Sequence, residues 1–177
     1  MADTLIVTFI TPDRPGIVEQ LSKTVSDIGG NWMESRMAHL AGTFAGVARV
    51  SAPDGKTPDI RAAMLALESE DFQVMVKFAA DIPDGAASAK GPLLELELMG
   101  PDHPGIVMEV TRCLAAAGVS VEEMVTWVEG APVGGGMLFY AEAKVRLPTG
   151  LSEDDLESAL DATANALMVD ISVGDED

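Results

Sequence analysis

The sequence predicts an α+β protein made of two copies of one β-α-β-β-α-β unit, and three observations support this. The motif "PDRPGIV" at 12–18 recurs as "PDHPGIV" at 101–107, with one difference: His103 stands where the first motif has Arg14. Apolar residues before each motif alternate at every second position, as in a strand with one buried face. Apolar residues after each motif recur at helical spacing. A shift of 89 residues superimposes both patterns, which indicates an internal duplication.

The first strand of each copy is predicted from the alternation, and the first helix from the stripe that follows the turn. The inward positions of the strands are Leu5, Val7 and Phe9 in copy one and Leu94, Leu96 and Leu98 in copy two. The helical stripe runs for about four turns in each copy. It ends at Gly29 and Gly118, where a glycine that caps a helix C-terminus belongs.

Two extended runs follow each helix and predict a β-hairpin. In copy one, "NWMESRMAHLAG" and "TFAGVARVSA" are separated near Ala41 and Gly42. In copy two, "SVEEMVTWVEG" and "GMLFYAEAKVRL" are separated by "APVGGG". A glycine-bearing turn between two strand-like runs is typical of a hairpin.

A second helix and a short closing strand complete each copy. Thr57 is the predicted N-cap in copy one, with Pro58 at the first helical position. Ser152 and Asp155 have the spacing of a capping box in copy two. The resulting order is the ferredoxin-like arrangement, in which an antiparallel four-stranded sheet carries two helices on one face.

The predicted domains are 1–81 and 93–177, joined by a linker at 82–92 that is rich in small and turn residues. The helix-free face of each sheet has no covering element in this scheme. Trp32 and Trp127 therefore either lie on that face and require a partner, or belong to the cores of their own domains.

Composition excludes several classes of function. The chain carries a net charge of −18, with 17 acids and 3 bases in residues 91–177. Nucleic-acid binding depends on lysines and arginines that neutralise phosphates, so nucleic acid and anionic membranes are not expected partners. No secretory signal is evident at the N-terminus, which favours a cytoplasmic protein. The single cysteine, Cys113, permits no internal disulfide and no cysteine metal site.

The repeated turn has the ingredients of a site for a free amino acid. Its aspartate can hydrogen-bond nearby backbone N–H groups as an Asx turn or cap, and its second proline suits the first helical position. The glycine leaves the backbone bare where N–H groups with partial positive charge attract a carboxylate. These residues are Asp13, Pro15 and Gly16 in copy one and Asp102, Pro104 and Gly105 in copy two.

Asn31 opens the second strand of copy one, which we expect beside the first strand. Its amide can accept a hydrogen bond from an ammonium group and donate one to a carboxylate. An ordinary strand-to-helix connection would use the same prolines and glycines, so a ligand site and a structural turn both remain open. His103 is accordingly either a pH-sensitive ligand contact or an exposed turn residue.

A unit of this order, with "DRPGI" opening its first helix and "GGN" ending it, resembles the ACT domain. Two such units without a catalytic domain resemble the glycine cleavage system transcriptional repressor family. The resemblance covers nearly the whole chain and is most specific in "DRPGIVEQLSKTVSDIGGNWMESRMAHLAGTFAG". It implies a regulatory protein that senses an amino acid, with no catalysis and no cofactor or metal.

The resemblance also implies site residues and partners. The implied ligand contacts are Asp13, Arg14, Pro15, Gly16 and Asn31 in copy one and Asp102, His103, Pro104, Gly105 and Ser120 in copy two. Ser120 and Val119 depart from Asn31 and Gly30 of copy one, which weakens the expectation for copy two. The ligand would be a small amino acid such as glycine or serine. ACT pairing implies a homo-oligomer, and the protein partner would be a transcriptional activator or a metabolic enzyme.

Two other functions compete with the sensor. A structural interaction module with vestigial pockets would form a stable dimer and bind no ligand. A small acyl phosphate hydrolase shares the order of elements, and Arg14 and Asn31 match the two side chains that it needs, although copy two lacks both. Histidines occur only at His39 and His103, which with Cys113 are too scattered for a catalytic triad or a zinc site.

Overall fold

A computed structural model describes residues 3–81, 91–132 and 134–175. The chain divides into two compact units, Met1–Gly85 and Ala86–Asp177. The elements of the first unit are β1 (Asp3–Pro12), α1 (Ile17–Ser26), β2 (Asn31–Leu40), β3 (Thr43–Ala52), α2 (Thr57–Leu65), β4 (Gln73–Phe78) and a 3₁₀ turn at Ala79–Asp81. Those of the second unit are β5 (Leu93–Pro101), α3 (Ile106–Ala116), β6 (Ser120–Gly130), β7 (Met137–Arg146), α4 (Glu153–Leu167) and β8 (Asp170–Asp175).

Each unit contains one antiparallel four-stranded sheet, in the order β2-β3-β1-β4 or β6-β7-β5-β8. Both helices of a unit pack on one face, which confirms the predicted ferredoxin-like α+β fold. The expectation that β2 lies beside β1 is wrong, because β3 separates them. A chain that leaves β2 by a tight hairpin must pair β3 with β2, and β3 then also pairs with β1.

Each unit has its own core between the sheet and the helices. The alternating side chains of β1 and β5 are buried as predicted, and the helical stripes of α1 and α3 cover them. The fully buried aliphatic side chains include Leu5, Leu21 and Ile60 in the first unit and Leu96, Leu114 and Leu156 in the second. Burying such a side chain contributes about 1.5–3 kcal/mol, so these stripes account for much of the stability of each unit.

The hairpin predictions are confirmed. Ala41 and Gly42 both have positive φ, 49° and 77°, as a two-residue type I′ turn requires. The longer second loop places Gly134 and Gly136 at positive φ, with residue 133 outside the described residues. Gly29 and Gly118 follow α1 and α3 at φ 82° and 73°, as predicted for glycines that end a helix.

One predicted helix cap is confirmed and the other is wrong. Ser152 caps α4, and its hydroxyl and the Asp155 carboxylate form the reciprocal capping box. These hydrogen bonds, first that from the Ser152 side chain, lower the pKa of Asp155. Thr57 instead lies inside α2, where Lys56 is the N-cap. The buried Thr57 hydroxyl donates to Asp3 Oδ2 at 2.7 Å, so it ties α2 to the start of β1.

The predicted linker lies mostly outside the described residues, which resume at Gly91. Gly91 and Pro92 already belong to the second unit. The Gly91 N–H donates to Leu147 O at 3.0 Å, and the Leu147 N–H donates to Pro92 O at 3.1 Å. No helix within the described ranges is long and apolar enough to cross a membrane.

The two tryptophans lie on different faces of their sheets. Trp32 packs against the core of the first unit. Trp127 lies on the face of its sheet that the helices leave uncovered, where it stacks on Tyr140 at 5.2 Å between ring centroids. The alternation in β7 explains this position, because Tyr140 is opposite Trp127 while its neighbour Ala141 points into the core.

Candidate functional site

The two repeated turns have the same backbone geometry. Gly16 and Gly105 are the N-cap residues of α1 and α3, with φ of 91° and 101°. Such left-handed backbone favours glycine, and a Cβ built at either position would meet nothing within 4 Å. The helices therefore begin at Ile17 and Ile106, and the expectation that Pro15 and Pro104 occupy the first helical position is wrong.

Both helix starts leave their first backbone N–H groups without a partner. We call residues 12–16 the first turn and residues 101–105 the second turn. In each turn, one carbonyl accepts a hydrogen bond from the helix: Gly16 O accepts from the Gln20 N–H, and Gly105 O accepts from the Glu109 N–H. Within the described parts of the chain, the four N–H groups from each of these glycines onward donate to no protein acceptor. These amides remain available to an anionic group.

The two aspartates hold the turns against the neighbouring hairpins rather than capping the helices. The Asp13 N–H donates to Gly42 O and the Asp102 N–H donates to Met137 O, both at 2.9 Å. The Asp13 carboxylate faces outward, with Oδ2 lying 3.6 Å from Nε2 of the exposed His39. The predicted side-chain cap from these aspartates is therefore wrong, and the backbone supplies the attachment.

A cavity of about 280 Å³ lies against the first turn. It is lined by Ile10, Thr11, Pro12, Gly42, Thr43, Asp71 and Gln73. Its size is slightly below the range of drug-sized pockets, which suits a small ligand. The Asp71 carboxylate can accept from an ammonium group, while Thr43 and Gln73 bring further hydrogen-bonding groups to the same wall.

Asn31 does not lie at this cavity. It pairs with Ser51 of β3, whereas Pro12 pairs with Thr43 at the other end of the same strand. Eight residues of strand separate the two positions, roughly 27 Å along the sheet. The same holds in the second unit, where Ser120 pairs with Arg146 and Pro101 with Leu138. Within a unit, the turn residues and the polar residue that opens β2 or β6 form separate groups.

In the second turn, the His103 side chain is bonded to neighbouring backbone carbonyls. His103 Nε2 lies 3.0 Å from Leu167 O at the end of α4, and Nδ1 lies 3.2 Å from Pro104 O. Behind the turn, a Cβ on Gly100 would lie 2.5 Å from Val169 Cγ1 and 2.9 Å from its Cα. The first turn differs, because Arg14 is exposed and has no partner within the described ranges. His103 is thus neither a free ligand contact nor a plain exposed residue.

Residues 3–79 match the family model of the ACT domain. The chain belongs to the ACT-domain family. A solved structure of an unknown protein from Galdieria sulphuraria is 31% identical, with 100% of both chains covered and a TM-score of 0.85. A solved candidate glycine cleavage system transcriptional repressor is 20% identical over 98% of this chain and 97% of its own, with a TM-score of 0.71, and shares the tandem fold. No curated protein matches the chain in sequence.

The sequence of this ACT-domain protein did not reveal the cavity walls. Asp71 lies just before β4, the last strand of the first unit, Gln73 begins that strand, and Thr43 begins β3. No motif marks them, because their proximity to Pro12 arises only when β1 pairs with both β3 and β4. The period-2 alternation does place Ile10 and Gln73 on one face of the sheet. It predicts their proximity only once the register between β1 and β4 is known.

The second ACT unit has a pH-dependent contact at His103. The Leu167 carbonyl first, then the Pro104 carbonyl and the Asp102 charge, raise the pKa of His103 above 6.5. Both carbonyls accept, so both ring nitrogens are satisfied only when the imidazole is protonated.

We expect His103→Ala to destabilise the second unit at acid pH and to have less effect as the pH rises. The stabilisation by His103 is complete below its ordinary pKa of 6.5 and is lost as pH rises through the raised pKa of the folded state. Thermal unfolding of both proteins across this range measures the difference. The control is Arg14→Ala, at the equivalent position of the first turn. Because the arginine stays charged across this pH range, the effect of its loss on stability should not change with pH. A His103→Ala effect that is constant with pH would contradict the assignment.

Catalytic constellations are not apparent in the described residues. Among the described side chains, no group of three or more histidines, cysteines, aspartates or glutamates is placed to hold a metal ion. Arg14 belongs to the first turn and Asn31 to the far end of the sheet. The pair that the hydrolase interpretation requires therefore does not meet within the first unit.

Proposed function

We propose that this ACT-domain protein is a non-enzymatic regulator that binds a small amino acid at the first turn. The supporting observation is the asymmetry of the two turns. A cavity of about 280 Å³ lies against Pro12 at the start of the first turn, and Arg14 in that turn is exposed, while the second turn is fastened to α4 by His103. The free amides suit the carboxylate of an amino acid, and Asp71 suits its ammonium group. Small size favours glycine or serine.

The regulator transmits its state through protein contacts in this proposal. A net charge of −18 repels nucleic acid, so action on a gene requires a second protein such as a transcriptional activator. A metabolic enzyme is the other class of partner. Self-association would place the units of one copy near those of another. Asn31 and Ser120 are remote from the turn within their own unit, so they contribute to ligand binding only across such an interface.

The second unit fits the alternative of a structural module. His103 ties its turn to α4, and Val169 packs against Gly100. We therefore assign ligand binding to Asp13, Arg14, Pro15 and Gly16 and not to Asp102, His103, Pro104 and Gly105. The chain then combines one sensing unit with one scaffolding unit.

We expect a thermal-shift panel of the common amino acids to identify one or two that stabilise the protein. Ligand at about 100 times its Kd would add roughly 2.7 kcal/mol to the unit that binds it. Gly16→Ala should abolish the shift, because the new Cβ projects into the open space at the free amides and strains the left-handed backbone by about 1 kcal/mol.

Gly105→Ala is the matched control for this experiment. It carries the same backbone strain at the equivalent position and should cost similar stability while leaving the amino-acid shift intact. If no amino acid shifts the melting temperature, the sensing function is wrong. If both alanine variants abolish the shift equally, ligand binding is not confined to the first turn.

A further inference from the structure

The helix-free sheet faces of the two units carry opposite charges. We define the first face as the outward side chains of β1 to β4, and the second face as those of β5 to β8. Neither is covered by helices, and both expose large apolar side chains. Met75 is 56% exposed on the first face, and Val125 is 61% exposed on the second. Surfaces of this kind mark protein contacts.

The first face is apolar at its centre and basic around it. Ile10, Val47 and Met75 line an open groove of about 760 Å³, with Arg36 at its side and Glu68 at its edge. The strand register adds further charges to this face. They are Arg49 and Lys77, which flank Ile6, and Glu34, which forms an ion pair with Arg49 at 3.2 Å. The three bases make the face positive in a chain whose net charge is negative.

The second face is acidic around an aromatic centre. Trp127 and Tyr140 form the stacked centre, with Glu97, Glu142 and Asp170 lining the adjacent hollow of about 340 Å³. Glu95 and Glu123 lie one row further along, beside Lys144, which is 3.7 Å from Glu95. The acids therefore outnumber the bases on this face.

One pair of residues on the second face indicates that a countercharge comes from outside the unit. Glu97 and Glu142 are directly opposite each other on β5 and β7. Like charges at such positions destabilise an isolated sheet. Neither carboxylate has an ion-pair partner among the described residues. The equivalent positions of the first face are occupied by Thr8 and Val47, which carry no charge.

We propose that the first face of one copy docks on the second face of another copy. Arginine and lysine side chains around the groove meet the uncompensated glutamates, and Met75 and Val47 meet the Trp127–Tyr140 stack. A second copy supplies the complement of both faces, since each chain contributes one face of each kind. This arrangement deepens the self-association proposed above by naming its surface, and it does not depend on an amino-acid ligand.

The available area is sufficient for a stable dimer. A four-stranded sheet of this length presents roughly 500 Å² on one face. Two face-to-face contacts then bury roughly 1,000 Å² per copy, compared with ~800 Å² per partner in stable complexes of standard size.

Charge reversal followed by analytical ultracentrifugation tests the proposal. We expect the full chain to be a dimer whose dissociation constant rises with salt. Arg49→Glu with Lys77→Glu should raise it about tenfold or more, and Glu97→Lys with Glu142→Lys should do the same. Mixing these two variants should restore dimers, because each then offers the face that the other requires.

The matched control is Lys56→Glu with Arg61→Glu, which changes the net charge equally on the helix side of the first unit. It should leave the dissociation constant within about twofold, since distant exposed charges are screened. A monomeric wild-type protein overturns both this proposal and self-association. A dimer that tolerates both reversals, or variants that fail to re-pair on mixing, overturns the face assignment alone. In either case, the amino-acid panel still tests sensing separately.

Discussion

Phe72→Ala is expected to destabilise the first unit by about 4 kcal/mol, which lies within the range for removing a fully buried aromatic ring. Phe72 is 2% exposed and packs edge-on against Phe9, with ring centroids 6.4 Å apart. Its loss leaves a cavity between α2 and the sheet that neighbouring side chains fill only in part. Few small domains tolerate such a change, because their total stability is about 5–15 kcal/mol.

The consequence of this substitution extends to the candidate site. Phe72 lies between Asp71 and Gln73, which line the cavity at the first turn. The Phe72 backbone N–H also donates a hydrogen bond to Ser69 Oγ at 3.1 Å. When the ring no longer anchors this segment, the wall of the cavity is expected to lose its fixed position and amino-acid binding should weaken.

Chemical unfolding of Phe72→Ala, with Phe72→Leu as the matched variant, measures the effect. Leucine retains most of the buried apolar surface and should cost only about 1–2 kcal/mol. The transition of the second unit should remain unchanged in both variants, because the two cores share no residue. Equal losses in the two variants would contradict a tightly packed ring at this position.

Gly100→Thr is expected to destabilise the second unit by about 3 kcal/mol, at the upper end of the cost of overpacking. The repeat aligns Gly100 with Thr11, so sequence alignment alone presents the change as a return to the residue of the first copy. In the second unit, however, a Cβ here would lie 2.5 Å from Val169 Cγ1 and 2.9 Å from Val169 Cα. Part of this contact is with backbone, which cannot turn away as a flexible side chain would.

Thr11→Gly in the first unit is the reciprocal control. Thr11 is buried and its hydroxyl donates to Pro12 O at 3.3 Å. Glycine at this strand position should cost about 1 kcal/mol through the added freedom of the unfolded chain. Thermal unfolding compares the two losses. If threonine at position 100 is accommodated as easily as at position 11, the close packing of β5 against Val169 is contradicted.

The duplicated fold was predictable because its signals are local or periodic. Alternation predicted β1 and β5, helical spacing predicted α1 and α3, and Gly29 and Gly118 marked the ends of these helices. The capping box at Ser152 was also predictable, since both partners lie within four residues. Prediction failed at Thr57, which resembles an N-cap in sequence but donates to Asp3, a residue more than fifty positions away.

The candidate site was predictable only in part. The turn at Asp13 to Gly16 and its free amides follow from the motif, whereas the cavity walls at Thr43, Asp71 and Gln73 do not. The predicted proximity of Asn31 to the turn depends on β2 lying beside β1. The sheet order places β3 between them, and the parallel course of β1 and β2 puts the start of β2 at the opposite end.

The sequence by itself determined the duplication, the order of the elements in each unit, and the glycine-dependent turn before α1 and α3. These properties depend on contacts within a few residues along the chain, where spacing and residue type are sufficient. Only the tertiary structure decided that His103 ties the second turn to α4 while Arg14 in the first turn is exposed, and that the two sheet faces differ in charge. Those differences arise from strand register and from residues far apart in the chain, such as His103 and Leu167, which only folding brings into contact.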